Sequence, residues 1–93
     1  MENAERTGHT RTTEYVWYSD PGHTWLRVPM EDVRESGAEI SAYSYQHDGY
    51  AYLEEDCDAG RFFIAADIQR EQIHAFRTIY QENTLIRGYA RYK

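Results

Sequence analysis

Hydrophobic and polar positions alternate with a two-residue period in several places along the chain, and that alternation predicts strands. Residues 14–18 (EYVWY) are β-branched and aromatic and read as a first strand. Residues 19–23 (SDPGH) interrupt it. A proline with preset φ and a glycine able to take positive φ suit the central positions of a type II turn. Residues 24–28 (TWLRV) return as a second strand, with Trp25 and Arg27 on one face and Leu26 and Val28 on the other. Pro29 cannot donate to a sheet but suits a helix start. Glu31 and Asp32 early, Arg34 later and a stop at Gly37 then predict a short helix over residues 30–36, with Met30 and Val33 packing inward.

The two-residue period resumes over residues 40–47 (ISAYSYQH) and again over 50–53 (YAYL), separated by Asp48-Gly49. Asp-Gly tolerates the positive φ of a two-residue hairpin turn, so these runs should pair antiparallel. Tyr45 then lies across from Tyr52 and His47 across from Tyr50, on one face. Ala42, Ser44, Ala51 and Leu53 occupy the other, and the pattern leaves open which face is buried. Asp56 or Asp58 can cap a helix over 59–66, whose apolar members are Phe62, Phe63 and Ala66. A fifth strand over 61–65 competes with that helix, which is preferred. Residues 68–82 predict the clearest helix, with Ile73, Phe76, Ile79 and Tyr80 at three- and four-residue steps and Asn83 ending it. Residues 84–93 (TLIRGYARYK) are an edge strand or a loose tail, and the polar residues 1–13 a disordered lead-in. The fold class is α+β, one domain over 14–93. It comprises a small antiparallel sheet of about four strands in two hairpins, a short connecting helix, and C-terminal helices packed on one face.

Ninety-three residues suit one domain of modest stability, to which a homodimer would add buried surface. No apolar run approaches a membrane span, and the N-terminus lacks the apolar middle of a signal peptide. A single cysteine rules out an internal disulfide, so the expected home is a reducing cytoplasm, that of a host bacterium if the chain is mobile-element borne. The net charge of −6 is unevenly spread. Residues 14–60 hold eleven acids against Arg27 and Arg34, a balance of −9, whereas residues 61–93 hold three acids against six bases, a balance of +3. Such asymmetry predicts an acidic face and a separate basic face or tail. Solubility alone would also favour a net charge of this size.

Residues 18–29 (YSDPGHTWLRVP) and 41–60 (SAYSYQHDGYAYLEEDCDAG) resemble a largely uncharacterised domain of bacteriophage and plasmid proteins. The two blocks cover about a third of the chain, and the YLEEDCD run is their most specific part. The resemblance implies a mobile-element setting and carries over no fold, catalytic residue or ligand.

His23, His47, Asp20, Asp48, Glu54, Glu55, Asp56, Cys57 and Asp58 could ligate a metal, but the paired Cys or His spacing of a zinc site does not occur. The acidic run also lacks the alternating donors and central glycine of a calcium loop, and no metal or cofactor is expected. Cys57 sits near a helix start that would lower its thiol pKa, but the adjoining Asp56 and Asp58 oppose the thiolate, so a buried structural cysteine is preferred. Carboxylates at a helix start more often complement its dipole than catalyse. Arg87, Arg91 and Lys93 interleaved with Tyr89 and Tyr92 could contact nucleic acid, yet the remaining charge opposes it, and direct nucleic-acid binding is not expected. The basic C-terminus packing on the chain's own acidic surface is at least as good a reading.

The expected function is binding rather than catalysis. A small acidic phage- or plasmid-encoded inhibitor, of the anti-CRISPR or anti-restriction kind, would dock on a basic surface of a host nucleic-acid-handling protein. The candidate contacts are Glu31, Asp32, Glu35, Asp48, Glu54, Glu55, Asp56 and Asp58, with Tyr45, Tyr50 and Tyr52 as aromatic anchors. Two rival readings are a small hydrolase or nuclease using His23 or His47 with carboxylates, and an assembly domain that acts by self-association.

Overall fold

A computed structural model describes residues 15–93; the predicted lead-in at 1–13, and Glu14, lie outside the described residues. Chain order gives strands β1 (Val16–Ser19) and β2 (Thr24–Pro29), helix α1 (Met30–Ser36), strands β3 (Tyr45–His47) and β4 (Tyr50–Glu54), and helices α2 (Asp58–Ala65) and α3 (Arg70–His74). Strand β5 (Arg77–Tyr80), a 3-10 turn (Ile86–Gly88) and strand β6 (Ala90–Arg91) complete it. The strands form one six-stranded sheet in the order β5-β1-β2-β4-β3-β6. The fold is α+β as predicted, with six strands among the described residues in place of about four. All pairings are antiparallel except β1 with β5, which run parallel.

Both predicted hairpins form. Asp48 and Gly49 take φ values of 55° and 85°, the two positive angles of a type I′ turn, whose twist matches the strands it joins. The resulting register sets Tyr45 opposite Tyr52 and His47 opposite Tyr50. Helix α1 matches its predicted range, ended by Gly37 at φ 75°. Beyond the hairpins, β2 pairs with β4, so Leu26 meets Leu53 and Val28 meets Ala51 in the middle of the sheet.

The side chains on that face are fully buried and packed under Tyr15, Val33, Ala59 and Phe62, making the main core. Tyr15 bridges elements, its ring set edge-on to Phe62 at 5.7 Å and to Phe76 at 5.5 Å. The opposite face carries a second cluster of Trp25, Tyr52 and Ile86, flanked by Tyr18, Tyr45, Tyr50 and Tyr89. Both faces of the hairpin are therefore covered, one by helices and the other by the C-terminal segment. Arg27 fits among the rings by lying 5.4 Å from the Tyr18 centroid and 4.8 Å from that of Tyr50, while its Nη1 donates to the Tyr18 hydroxyl at 3.0 Å.

Several expectations are corrected. The run at 40–47 is strand only over Tyr45–His47. Its first half folds into a turn because Ser41 and Ser44 are drawn to the buried Asp58 carboxylate. The helix predicted over 68–82 ends at His74, and Arg77–Tyr80 runs as strand beside β1. Its β-branched and aromatic residues complete a sheet edge, and that tertiary pairing outweighs the three-to-four spacing. The 59–66 segment is helical as preferred, but neither Asp56 nor Asp58 caps it: Cys57 holds the N-cap position with no side-chain cap bond. The 20–23 turn is not type II, because Gly22 does not take positive φ. Instead the Asp20 carboxylate accepts from the Gly22 and His23 amides, each at 2.9 Å.

Candidate functional site

A groove of about 410 Å³ lies at the end of the sheet where the 20–23 loop and the β4–α2 corner meet. Every wall comes from a different part of the chain. His23 and Trp25 come from the first hairpin, Tyr43 and Tyr45 from the approach to β3, Glu54 and Cys57 from the β4–α2 corner, and Arg87 and Arg91 from the C-terminal segment. These residues converge because β2, β4, β3 and β6 are successive neighbours in the sheet.

The rings and cations are interlocked. Trp25 is 2% exposed; its ring lies 5.7 Å from His23 and 6.3 Å from Tyr45, between centroids. The Arg87 guanidinium is 5.5 Å from the Trp25 ring, and that of Arg91 is 4.9 Å from the Tyr45 ring. Arg87 is held by a two-point contact with Asp20, Nε to Oδ2 at 3.1 Å and Nη2 to Oδ1 at 3.0 Å. That contact, chiefly the bond from Arg87, holds the Asp20 carboxyl well below the usual carboxylate range, and it pushes the Arg87 guanidinium pKa up. Gly22 packs closely beneath it: a Cβ there would lie 3.0 Å from Arg87 Nη2 and would press on the guanidinium. Arg91 donates once, from Nη1 to the Ala42 carbonyl at 3.0 Å. Tyr43, 71% exposed, stands at the rim.

The predicted contact residues do not form one patch. Asp58 is 0% exposed and accepts from the Ser41 amide and from the hydroxyls of Ser41 and Ser44, so no partner can reach it. Asp32 is also buried, accepting from the Tyr15 hydroxyl at 2.7 Å. Both are structural, because an aspartate with enough internal donors can be enclosed where an unpaired one cannot. The others divide between the two ends of β4. Asp48 sits at the tip of the second hairpin, and α1 starts beside that tip through a bond from the Met30 amide to the Gly49 carbonyl at 2.9 Å. Glu31 and Glu35, both exposed, belong to that helix.

Glu54, Glu55 and Asp56 lie at the far end. Five strand residues at roughly 3.3 Å each put about 15–20 Å between the two acidic groups. Of the aromatic anchors, only Tyr45 lines the groove. Tyr50 is half-buried against Arg27. Tyr52 is 8% exposed beneath Tyr89, and burial, followed by the Tyr89 hydroxyl, pushes its pKa up to about 12.

The two histidines considered for hydrolysis are at opposite ends of the sheet. His23 borders the groove, whereas His47 stacks flat on Tyr89 next to the Asp48–Gly49 turn, with centroids 4.1 Å apart and planes 6° apart. Among the described residues no group of three His, Cys, Asp or Glu is placed to hold a metal ion. Cys57 is free and half-buried in the groove wall, not enclosed as preferred from sequence. Trp25 and Tyr43 are not among the contact residues expected from sequence, although the predicted strand sets Tyr43 on one face with Tyr45. The alternation along β2 does place Trp25 on the ring-bearing face, but nothing local connects either residue to Arg87 and Arg91.

No helix among the described residues is long and apolar enough to cross a membrane. Comparison with family models, with curated proteins and with solved structures finds no match for this chain.

Proposed function

We propose that this protein is a non-enzymatic inhibitor, carried by a phage or plasmid, that docks on a basic surface of a host nucleic-acid-handling protein. Its docking face is the acidic corner formed by Glu54, Glu55 and Asp56, with the exposed ring of Tyr43 beside it. The mobile-element setting follows from the sequence resemblance of residues 18–29 and 41–60. One observation carries the docking reading: Glu55 and Asp56 stand exposed on the tight turn between β4 and α2, and no described residue donates a hydrogen bond to, or forms an ion pair with, either carboxylate. Two nearby arginines are committed elsewhere, Arg87 to Asp20 and Arg61 to the Glu39 carbonyl and Asp58.

Uncompensated carboxylates steer a cationic partner toward the corner and suppress neutral or acidic ones. An exposed ring next to them supplies apolar contact area that a charged rim lacks. The footprint is smaller than a whole hairpin edge, because Asp32 and Asp58 are enclosed and Asp48 lies at the other end.

Affinity capture from a bacterial lysate at low and then high salt tests this reading, with wild type set against the double variant Glu55→Lys, Asp56→Lys. A nucleic-acid-handling protein should be retained at low salt, released at high salt, and missing from the variant. Equal retention by a folded variant sinks the proposal.

A further inference from the structure

We propose that the groove, which shares Glu54 and Tyr43 with the docking corner, is a binding site for a free mononucleotide, with guanine as the preferred base. The residues divide into three chemistries that match the three parts of such a ligand. The exposed ring of Tyr43 offers a flat face on which a base can stack, while Tyr45 is covered by the Arg91 guanidinium, 4.9 Å from its centroid. The Arg91 side chain has given one bond, to the Ala42 carbonyl, and keeps most of its donors for a phosphate; Arg87 borders the same groove with its charge already paired to Asp20. Glu54 is half-buried in the groove wall, and no described residue donates to its carboxylate.

A half-buried carboxylate without an internal donor favours a ligand that brings N–H groups. Guanine presents N1–H and the N2 amino group side by side, a match for two carboxylate oxygens, whereas uracil offers a single N–H between two carbonyls. The remaining walls suit the same ligand. Trp25 and His23 form an aromatic floor, and the volume of about 410 Å³ falls in the range of roughly 300–1,000 Å³ usual for small-molecule sites.

Charge decides between a free nucleotide and a strand. Arg91, which pairs with no described carboxylate, can attract one phosphate, but the β4–α2 turn between the groove residues Glu54 and Cys57 carries the exposed Glu55 and Asp56 and the chain carries −6 overall, which repels a continuing phosphodiester backbone. The groove therefore takes one nucleotide and rejects a polymer.

Titration of the purified protein with guanosine 5′-monophosphate at low salt, followed by tryptophan fluorescence and calorimetry, tests the assignment. Saturable binding is expected. Uridine 5′-monophosphate and unphosphorylated guanosine should each bind about tenfold more weakly, the first for its missing donors and the second for its missing charge. Arg91→Ala should weaken guanosine monophosphate binding by about tenfold, and Glu54→Gln should remove the preference for guanine over uracil. A short single-stranded oligonucleotide that binds more tightly than the mononucleotide would overturn the free-ligand assignment. No saturable binding by the folded wild type, or binding unchanged in both folded variants, overturns the site itself. Glu55→Lys, Asp56→Lys leaves the groove residues in place, so loss of nucleotide binding and loss of partner capture are separable outcomes.

Discussion

Asp58 shows how much one side chain can organise. Its carboxylate is wholly enclosed and collects the Ser41 amide and two serine hydroxyls, while the Ser44 hydroxyl oxygen also accepts from the Glu54 amide. One anion thereby ties the start of α2 to the turn before β3 and to the end of β4. Asp58→Ala leaves those buried donors unpaired and should cost about 2–4 kcal/mol, read as a lowered midpoint in urea denaturation. Asp20 acts similarly at the other loop, with a testable sign. Its folded pKa is depressed, so its contribution is present above the unfolded value near 3.9 and is lost as pH falls through the folded value. Below about pH 4 the unfolded chain binds the proton first, and stability must fall. Arg87→Gln removes the largest cause of the depression, so thermal melts between pH 2 and 5 should show a shallower acid slope than wild type. An unchanged slope would mean that the loop amides alone hold Asp20 ionised.

At the scale of elements, the chain relies on local turn chemistry for its hairpins and on distant pairing for its edges. Gly49 at φ 85° is a position where a Cβ is strained even though nothing crowds it. Gly49→Ala should therefore cost about 1–2 kcal/mol through the backbone alone, and Gly49→Asn less, which paired thermal melts can separate. Strand β5 behaves differently, since it has no hairpin to hold it and depends on its parallel partner. The Gln81 amide bonds to the Ser19 carbonyl at 2.8 Å, and amides two residues apart in a strand point the same way, so that of Ile79 faces β1. Ile79→Pro removes that donor and should destabilise by at least about 1 kcal/mol. Were the segment a helix over 68–82, the same proline would abolish helical circular dichroism across it. Little change in that signal is expected.

For the whole molecule, the C-terminal segment decides what the ring-bearing face becomes. Ile86 is 3% exposed against Trp25 and Tyr52, and the Tyr92 amide reaches the Ser44 carbonyl at 2.9 Å. Far from a loose tail, it closes one side of the sheet and brings Arg87 and Arg91 to the groove. Ile86→Ala should cost about 2–4 kcal/mol, and chemical denaturation measures it. The prediction of a basic C-terminus folding onto the chain's own acidic surface is met at Asp20, not in the acidic run, so the corner at Glu55 and Asp56 keeps its charge.

What the sequence determined by itself is whatever depends on neighbours within a few residues. Asp48-Gly49 dictated a two-residue turn, the turn dictated the Tyr45–Tyr52 register, and Pro29 with Gly37 bracketed α1. Tertiary structure decided everything that depends on a partner far along the chain. Ser41 and Ser44 alternate like strand residues until Asp58 claims their hydroxyls, and Ile79 and Tyr80 keep helical spacing until β1 offers an open edge. The groove is the extreme case: Trp25, Tyr45, Glu54 and Arg91 become neighbours only because four strands pair in an order that no local pattern encodes. Backbone angles and side-chain alternation are short-range properties, whereas burial and edge pairing are settled by the free energy of the assembled sheet.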